Sequence, residues 1–326
     1  MFPALLVLAL VFDFLNGFHD SSNIVATVIS SGSMRPRAAL ILAAVAEFAG
    51  PFIFGVAVAT TIGEGLLRVE AIPVEVVVAA LAGAVIWNLI TWYVGIPSSS
   101  SHALIGGLVG GAVLAEGLTA VHLPGLLKIL AALLISPVLG MVAGYVTMRL
   151  ILWAVQSATP RVNDLFRRLQ VATLLGLALS HGTNDAQKTM GVLTLGLVAV
   201  GSLDSFRVPV WVIAVSAGAI ALGTSFGGWR LIRTLGGKIM RVRPVHALAS
   251  QAAGAAVILG AALVGGPVST TQVMSSAIMG VGAAERVKKV RWLVLQDMVT
   301  AWLLTIPVTA GLSALAYLLL IQITRR

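Results

Sequence analysis

The sequence predicts an all-α polytopic membrane protein made of two inverted-topology repeats, with broken helices and re-entrant or hairpin segments meeting at a midplane site. Three observations carry that expectation. Of 326 residues, 58% are hydrophobic and 10% charged, a composition outside the soluble globular range. The apolar runs fall into two sets of matching order, interrupted at corresponding places. The basic residues sit in loops whose positions are reversed between the two sets.

Apolar runs lie at 3–30, 38–62, 76–95, 103–115, 126–149, 171–201, 209–226, 245–264, 273–284 and 292–323. A spanning helix needs about 20 residues, so 103–115 and 273–284 are too short to cross comfortably. The first cation is Arg35, so the opening run lacks the basic start of a signal peptide and reads as the first membrane segment. Runs 3–30 and 171–201 carry polar strings in mid-segment: Gly17-Phe18-His19-Asp20-Ser21-Ser22-Asn23 and Gly182-Thr183-Asn184-Asp185-Ala186-Gln187-Lys188. A glycine in each frees the backbone to leave the helix, and irregular backbone at membrane depth survives only where it lines protein or a water-filled cavity. Each of these runs is therefore expected as one broken span.

The two short runs follow a proline and a hydroxyl cluster: Pro97 with Ser98, Ser99, Ser100 and Ser101, and Pro267 with Ser269, Thr270 and Thr271. Asp20 and Asp185 are 165 residues apart, and Pro97 and Pro267 are 170 apart. These offsets read as an internal duplication: residues 1–148 form the first repeat, 149–170 a cytoplasmic linker and 171–326 the second repeat. Loops 31–37, 149–168, 227–243 and 285–291 hold 15 of the 21 Lys and Arg, which places them in the cytoplasm by the positive-inside rule. The loop at 63–75, with Glu64, Glu70 and Glu75, and the loop with Glu116 then face outside. Basic 31–37 corresponds to neutral 202–208, acidic 63–75 to basic 227–243, and neutral 116–125 to basic 285–291, so every compared pair is reversed. Reversal needs an odd number of crossings per half, and five per half with both termini outside satisfies the loops, Arg325 and Arg326 being the exception. Inverted repeats of this kind are common in secondary transporters.

A carboxylate in the membrane costs several kcal/mol, and this chain places one at the same point of both repeats. Asp20, Asn23, Asn184 and Asp185, with Ser21, offer oxygen ligands to a hard cation. Capping or an intramembrane hydrogen bond is the alternative for either aspartate alone. A proline followed by hydroxyl residues marks a helix start, whose free N–H groups attract anions. Ser99, Ser100, Ser101, Ser269, Thr270 and Thr271 thus form the expected anion shell, completed by Asp20 and Asp185. Glu47, within an apolar run, is either a further cation ligand, a proton-titrating group or a structural hydrogen-bonding residue. Lys188 stands where the first repeat has Asn23; it pairs with an aspartate, contacts the anion or takes a cation's place. Asp13 and Asp297 are expected to be solvated or capping. His122 and His246 read as loop or interface residues, while His19, His102 and His181 adjoin the motifs without transition-metal spacing.

An anion between two carboxylates in a low-dielectric pocket meets several kcal/mol of repulsion, which helix dipoles and Lys188 offset only in part. Cations or protons must therefore accompany it. Oxygen ligands and the lack of cysteine favour Na⁺ or H⁺ over transition metals. No nucleophile with a base or metal cluster stands out, which argues against an enzyme. A channel has no reason to bury carboxylates beside its anion, the loops are too short to form a receptor domain, and the basic residues serve topology rather than nucleic acid.

The motifs around Asp20 and Asp185 resemble the duplicated Gly-x-Asn-Asp signature of the inorganic phosphate transporter (Pit) family. The similarity covers essentially the whole chain, including Pro97 with its serines, Pro267 with its hydroxyl residues and Gly227-Gly228-Trp229-Arg230. The resemblance implies a Na⁺- or H⁺-coupled phosphate symporter with phosphate between the repeats, cations at the signature aspartates, and a homodimer in the cell membrane whose core moves against a scaffold. Import with Na⁺ is the expected reaction; proton-coupled transport of phosphate, a metal phosphate or sulfate is the alternative. His19 departs from the family's Asn and supplies a group that titrates near neutrality.

Overall fold

The computed structural model describes residues 1–68 and 72–324. Glu70, Arg325 and Arg326, used above to assign loop sides, lie outside the described residues. The chain is helical: α1 (Phe2–Ser30), α2 (Pro36–Phe54), α3 (Ala57–Gly63), α4 (Val74–Val94), α5 (Ser100–Glu116), α6 (Leu123–Ala154), α7 (Val162–Ala199), α8 (Val210–Phe226), α9 (Trp229–Arg233), α10 (Pro244–Leu263), α11 (Thr270–Glu285) and α12 (Trp292–Thr324). The order repeats, α1 to α6 matching α7 to α12. By length and composition α1, α2, α4, α6, α10 and α12 suffice to cross a membrane.

The helix breaks fall elsewhere than expected. α1 and α7 run unbroken through their polar strings, because Gly17 and Gly182 serve close packing rather than unwinding. A Cβ on Gly17 would lie 2.0 Å from the Ile220 carbonyl oxygen, and one on Gly182 would lie 2.1 Å from that of Glu47. The breaks occur instead in the second element of each repeat. Gly55 and Gly227, with φ of 83° and 72°, end α2 and α8 in a conformation that favours glycine. α8 and the segment after it bend by 61°. The run at 38–62 is thus two helices. The linker at 149–170 is also mostly helical, since α6 continues to Ala154 and α7 starts at Val162.

α1 and α7 cross antiparallel. Leu5 packs on Gly196, and Ser31 Oγ donates to Gln170 Oε1 at 2.9 Å. The 165-residue offset maps Leu5 onto Gln170 and Ser31 onto Gly196, so the two contacts exchange, as they do about a two-fold axis. α4 and α5 double back as a hairpin, with Gly107 against Ala80, and α10 and α11 do likewise. In each half the fourth expected segment, too short to cross comfortably, is the second arm of a hairpin. The tips of the hairpins meet, as Ser101 Oγ donates to the Val268 carbonyl at 3.2 Å.

Small residues let the halves interlock. Gly140 and Gly144 of α6 press on Val273 and Ala277 of α11, while Gly106 and Gly110 of α5 press on Ile306 and Ala310 of α12. At the end of α11, Glu285 gathers Arg243, His246 at 3.0 Å and Lys289 at 2.7 Å, tying together two of the basic loops. Gly182→Leu is expected to stop folding, because backbone on α2 fills the space and overpacking by one methylene already costs about 1–3 kcal/mol. Size-exclusion of the solubilised variant checks this, with aggregation in place of a monodisperse peak as the expected result.

Candidate functional site

The unbroken helices carry both aspartates to the crossing of α1 and α7, where the start of α11 arrives. Asp20 and Asp185 are each at most 1% exposed. Thr271 Oγ1 donates to Asp20 Oδ1 at 3.0 Å and receives Asn23 Nδ2 at 3.0 Å. Thr270 Oγ1 lies 3.0 Å from Asp185 Oδ2 and 3.4 Å from Asp20 Oδ2, so one hydroxyl is shared between the carboxylates. Lys188 Nζ is paired with Asp185 Oδ1, an arrangement that fits both pairing with an aspartate and taking a cation's place. His19 Nδ1 lies 3.3 Å from Asp20 Oδ1.

His181 is the residue that sequence reasoning passed over. Its Nδ1 donates to Glu47 Oε1 at 2.6 Å, while Nε2 has no hydrogen-bond partner. That nitrogen stands 3.5 Å from Asp185 Oδ2 and 4.0 Å from Asp20 Oδ2. Asp20, His181 and Asp185 thus present three ligand atoms within 4.8 Å of one another, all in buried residues. The available signal was the i, i+4 spacing of His181 and Asp185 on one helix face. Glu47 is held by that histidine rather than standing among the aspartates.

The other expected ligands divide. Asn23 keeps an unpartnered buried Oδ1, and so does Asn184, but the Asn184 amide donates to the Gly266 carbonyl at 3.2 Å and braces the entry to α11. Ser99 and Ser269 are matching N-caps, accepting from the amides of His102 at 3.2 Å and Gln272 at 3.3 Å. Ser99 Oγ also lies 2.7 Å from His102 Nδ1. The amides of Ser100, Ser101, Thr270 and Thr271 then belong to helix starts without an acceptor in their own helix. Ser99, Ser100 and Ser101 are buried, and the recorded link from this cluster to the α11 side is the Ser101 bond to Val268. Asp297 is exposed as expected. Asp13 is not: it is 0% exposed, since α7 and α8 close over this part of α1.

The structure therefore gathers buried acceptor atoms and a lysine at the start of α11, which the start of α5 adjoins through Ser101 and Val268. Comparisons with known proteins show the family to which this arrangement belongs. The phosphate transporter family matches residues 16–163 and 153–313. A probable low-affinity inorganic phosphate transporter of Bacillus subtilis (strain 168) is 45% identical over 319 residues, covering 97% of this chain and 96% of the relative. One from Rhizobium meliloti (strain 1021) is 44% identical, covering 96% and 94%. A solved structure described as the sodium-dependent phosphate transporter shares the fold with a TM-score of 0.89 at 24% identity, covering 99% of both chains. With relatives matched over nearly its full length, the chain belongs to the phosphate transporter family.

Proposed function

We propose that this chain is a secondary active symporter that imports inorganic phosphate with Na⁺ by alternating access around the Asp20–Asp185 site. The observation that carries the reading is the convergence of Asp20 Oδ2, Asp185 Oδ2 and His181 Nε2 at the start of α11, with the single Thr270 hydroxyl between the carboxylates. Acceptors facing one another in a buried site repel unless a cation or proton lies among them. A phosphate at the helix starts adds one or two further negative charges, so anion and cation each favour the other's entry. The unpartnered Oδ1 of Asn23 beside Asp20 suits a hard cation. Thr270, Thr271 and the amides of Ser100 and Ser101 are the proposed anion donors. At Asp185 the ammonium of Lys188 already supplies a positive charge, which makes Asp20 the side that depends on Na⁺.

Relatives named inorganic phosphate transporters support the cargo, and the solved protein of the same fold is described as sodium-dependent; these are transporters rather than enzymes. The reversed basic loops and the antiparallel crossing of α1 and α7 support inverted repeats in the cell membrane with both termini outside. The homodimer belongs to the same proposal and is tested by cross-linking in membranes. His181 favours one alternative, proton coupling, because its imidazole stands between three carboxylates. Uptake of labelled phosphate into proteoliposomes, with Na⁺ and pH gradients imposed separately, decides the matter. Accumulation driven by Na⁺ alone is expected, and accumulation driven only by a proton gradient refutes Na⁺ coupling. Excess sulfate is expected not to compete.

A further inference from the structure

Two helical turns before Asp20, the same face of α1 carries Asp13, a carboxylate sealed at 0% exposure. Thr189, one turn beyond Asp185 on α7, and Ser216 on α8 are the hydroxyl residues that act on it. Neither reaches it in hydrogen-bond geometry: both Asp13 carboxylate oxygens and both hydroxyls lack a hydrogen-bond partner among the described residues. One turn along α1, Asn16 is also fully buried, and its amide oxygen and nitrogen are unpartnered.

Several buried hydroxyls in these helices bind a carbonyl, although those of Thr27 and Thr194 do not. Ser180 donates to the Gly176 carbonyl at 2.7 Å, Thr183 to that of Leu179 at 2.7 Å, and Thr224 across to that of Gly17 at 3.1 Å. Thr189 and Ser216 also make no such bond, and both lie within electrostatic reach of the Asp13 carboxylate. Oxygens drawn together without hydrogen bonds between them, each costing free energy while unsatisfied, have the chemistry of a cation shell. The surroundings exclude water, since Phe12, Ala186, Met190 and Ala217 belong to one hydrophobic cluster. The shell cannot easily loosen, because α1 and α8 touch backbone to backbone one turn away at Gly17 and Ile220.

We propose that Asp13, Thr189 and Ser216, with the Asn16 carboxamide one turn along, form a second cation site, separate from the Asp20–Asp185 centre. One carboxylate with neutral hydroxyl and amide oxygens matches a hard monovalent cation, as a divalent ion would leave a buried excess charge. The identification of that cation as Na⁺ rests on the coupling reading above. The site joins α1, α7 and α8, elements from both halves.

Equilibrium binding of ²²Na⁺ to the purified, solubilised protein without phosphate tests the proposal. Asp13→Asn is expected to remove one saturable Na⁺ per chain, and Ser216→Ala to weaken that ion's binding about tenfold while leaving the others unchanged. Full wild-type stoichiometry in Asp13→Asn, in a monodisperse preparation, overturns it, and so does a wild-type protein that binds no Na⁺. That unchanged stoichiometry is also what a protonated structural carboxyl predicts. If Asp13→Asn fails to fold, unchanged affinity in Ser216→Ala overturns the site. Uptake measured in parallel separates the two readings. Loss of a bound ion in Asp13→Asn where no Na⁺ gradient drives wild-type uptake leaves this site standing and removes the coupling. Na⁺-driven uptake with binding untouched by Asp13→Asn does the reverse.

Discussion

Asp20→Asn is expected to reduce Na⁺-driven phosphate accumulation to background, by at least about a hundredfold, in a protein that remains folded. Asp20 is served by Thr271 at 3.0 Å, by Thr270 at 3.4 Å and by His19 at 3.3 Å, and no lysine pairs with it. On the proposed coupling, its charge is the part of the site that the cation matches. The carboxamide keeps the shape and removes the charge, while hydroxyl rotors at Thr270 and Thr271 can turn to suit it. A charged ligand lost from a buried site costs about 1.5–3 kcal/mol for each hydrogen-bond-like contact, so the decrease should exceed that from losing one neutral ligand. Proteoliposomes loaded with matched amounts of variant and wild type give the comparison. Gradient-driven uptake at the wild-type level would remove Asp20 from the cation shell.

Lys188→Ala is expected to lower stability by about 3–5 kcal/mol, the typical effect of removing one partner from a buried ion pair. Lys188 and Asp185 are both fully buried, so the abandoned carboxylate finds no water. Adding Asp185→Asn should return much of the loss, because the second change removes the charge that the first left exposed to low dielectric. Thermal melting of the two single variants and the double variant forms the cycle that isolates the pair. Additive losses would mean that the two groups do not act as a unit. The same pairing accounts for the asymmetry of the motif: the second repeat carries its own positive charge where the first has Asn23.

The fold class was legible because membrane composition, loop charge and the paired interruptions are one-dimensional signals. The location of the helix breaks was not, since Gly17 and Gly182 have the same local freedom whether they unwind a helix or admit a neighbour. Only the approach of Ile220 and of the Glu47 backbone distinguishes the two. Asp20, Asp185, Thr270 and Thr271, which the structure brings into contact, were singled out through duplication, which doubles a weak signal. His181 escaped because its partner Glu47 lies 134 residues away and neither has an equivalent in the other repeat. Asp13 escaped because closeness to the end of a hydrophobic run resembles exposure, whereas α7 and α8 cover it.

The packing of the halves bears on how the protein is made. α6 rests on α11, α5 on α12, and Asp20 depends on hydroxyls from Thr270 and Thr271. A ribosome that has delivered residues 1–154 has released helices whose permanent neighbours do not yet exist. The early segments must wait in lipid with their glycine grooves open and Glu47 lacking its imidazole. Assembly is thus a late, concerted event, and a chain truncated before α11 lacks half of the pocket rather than owning a smaller one.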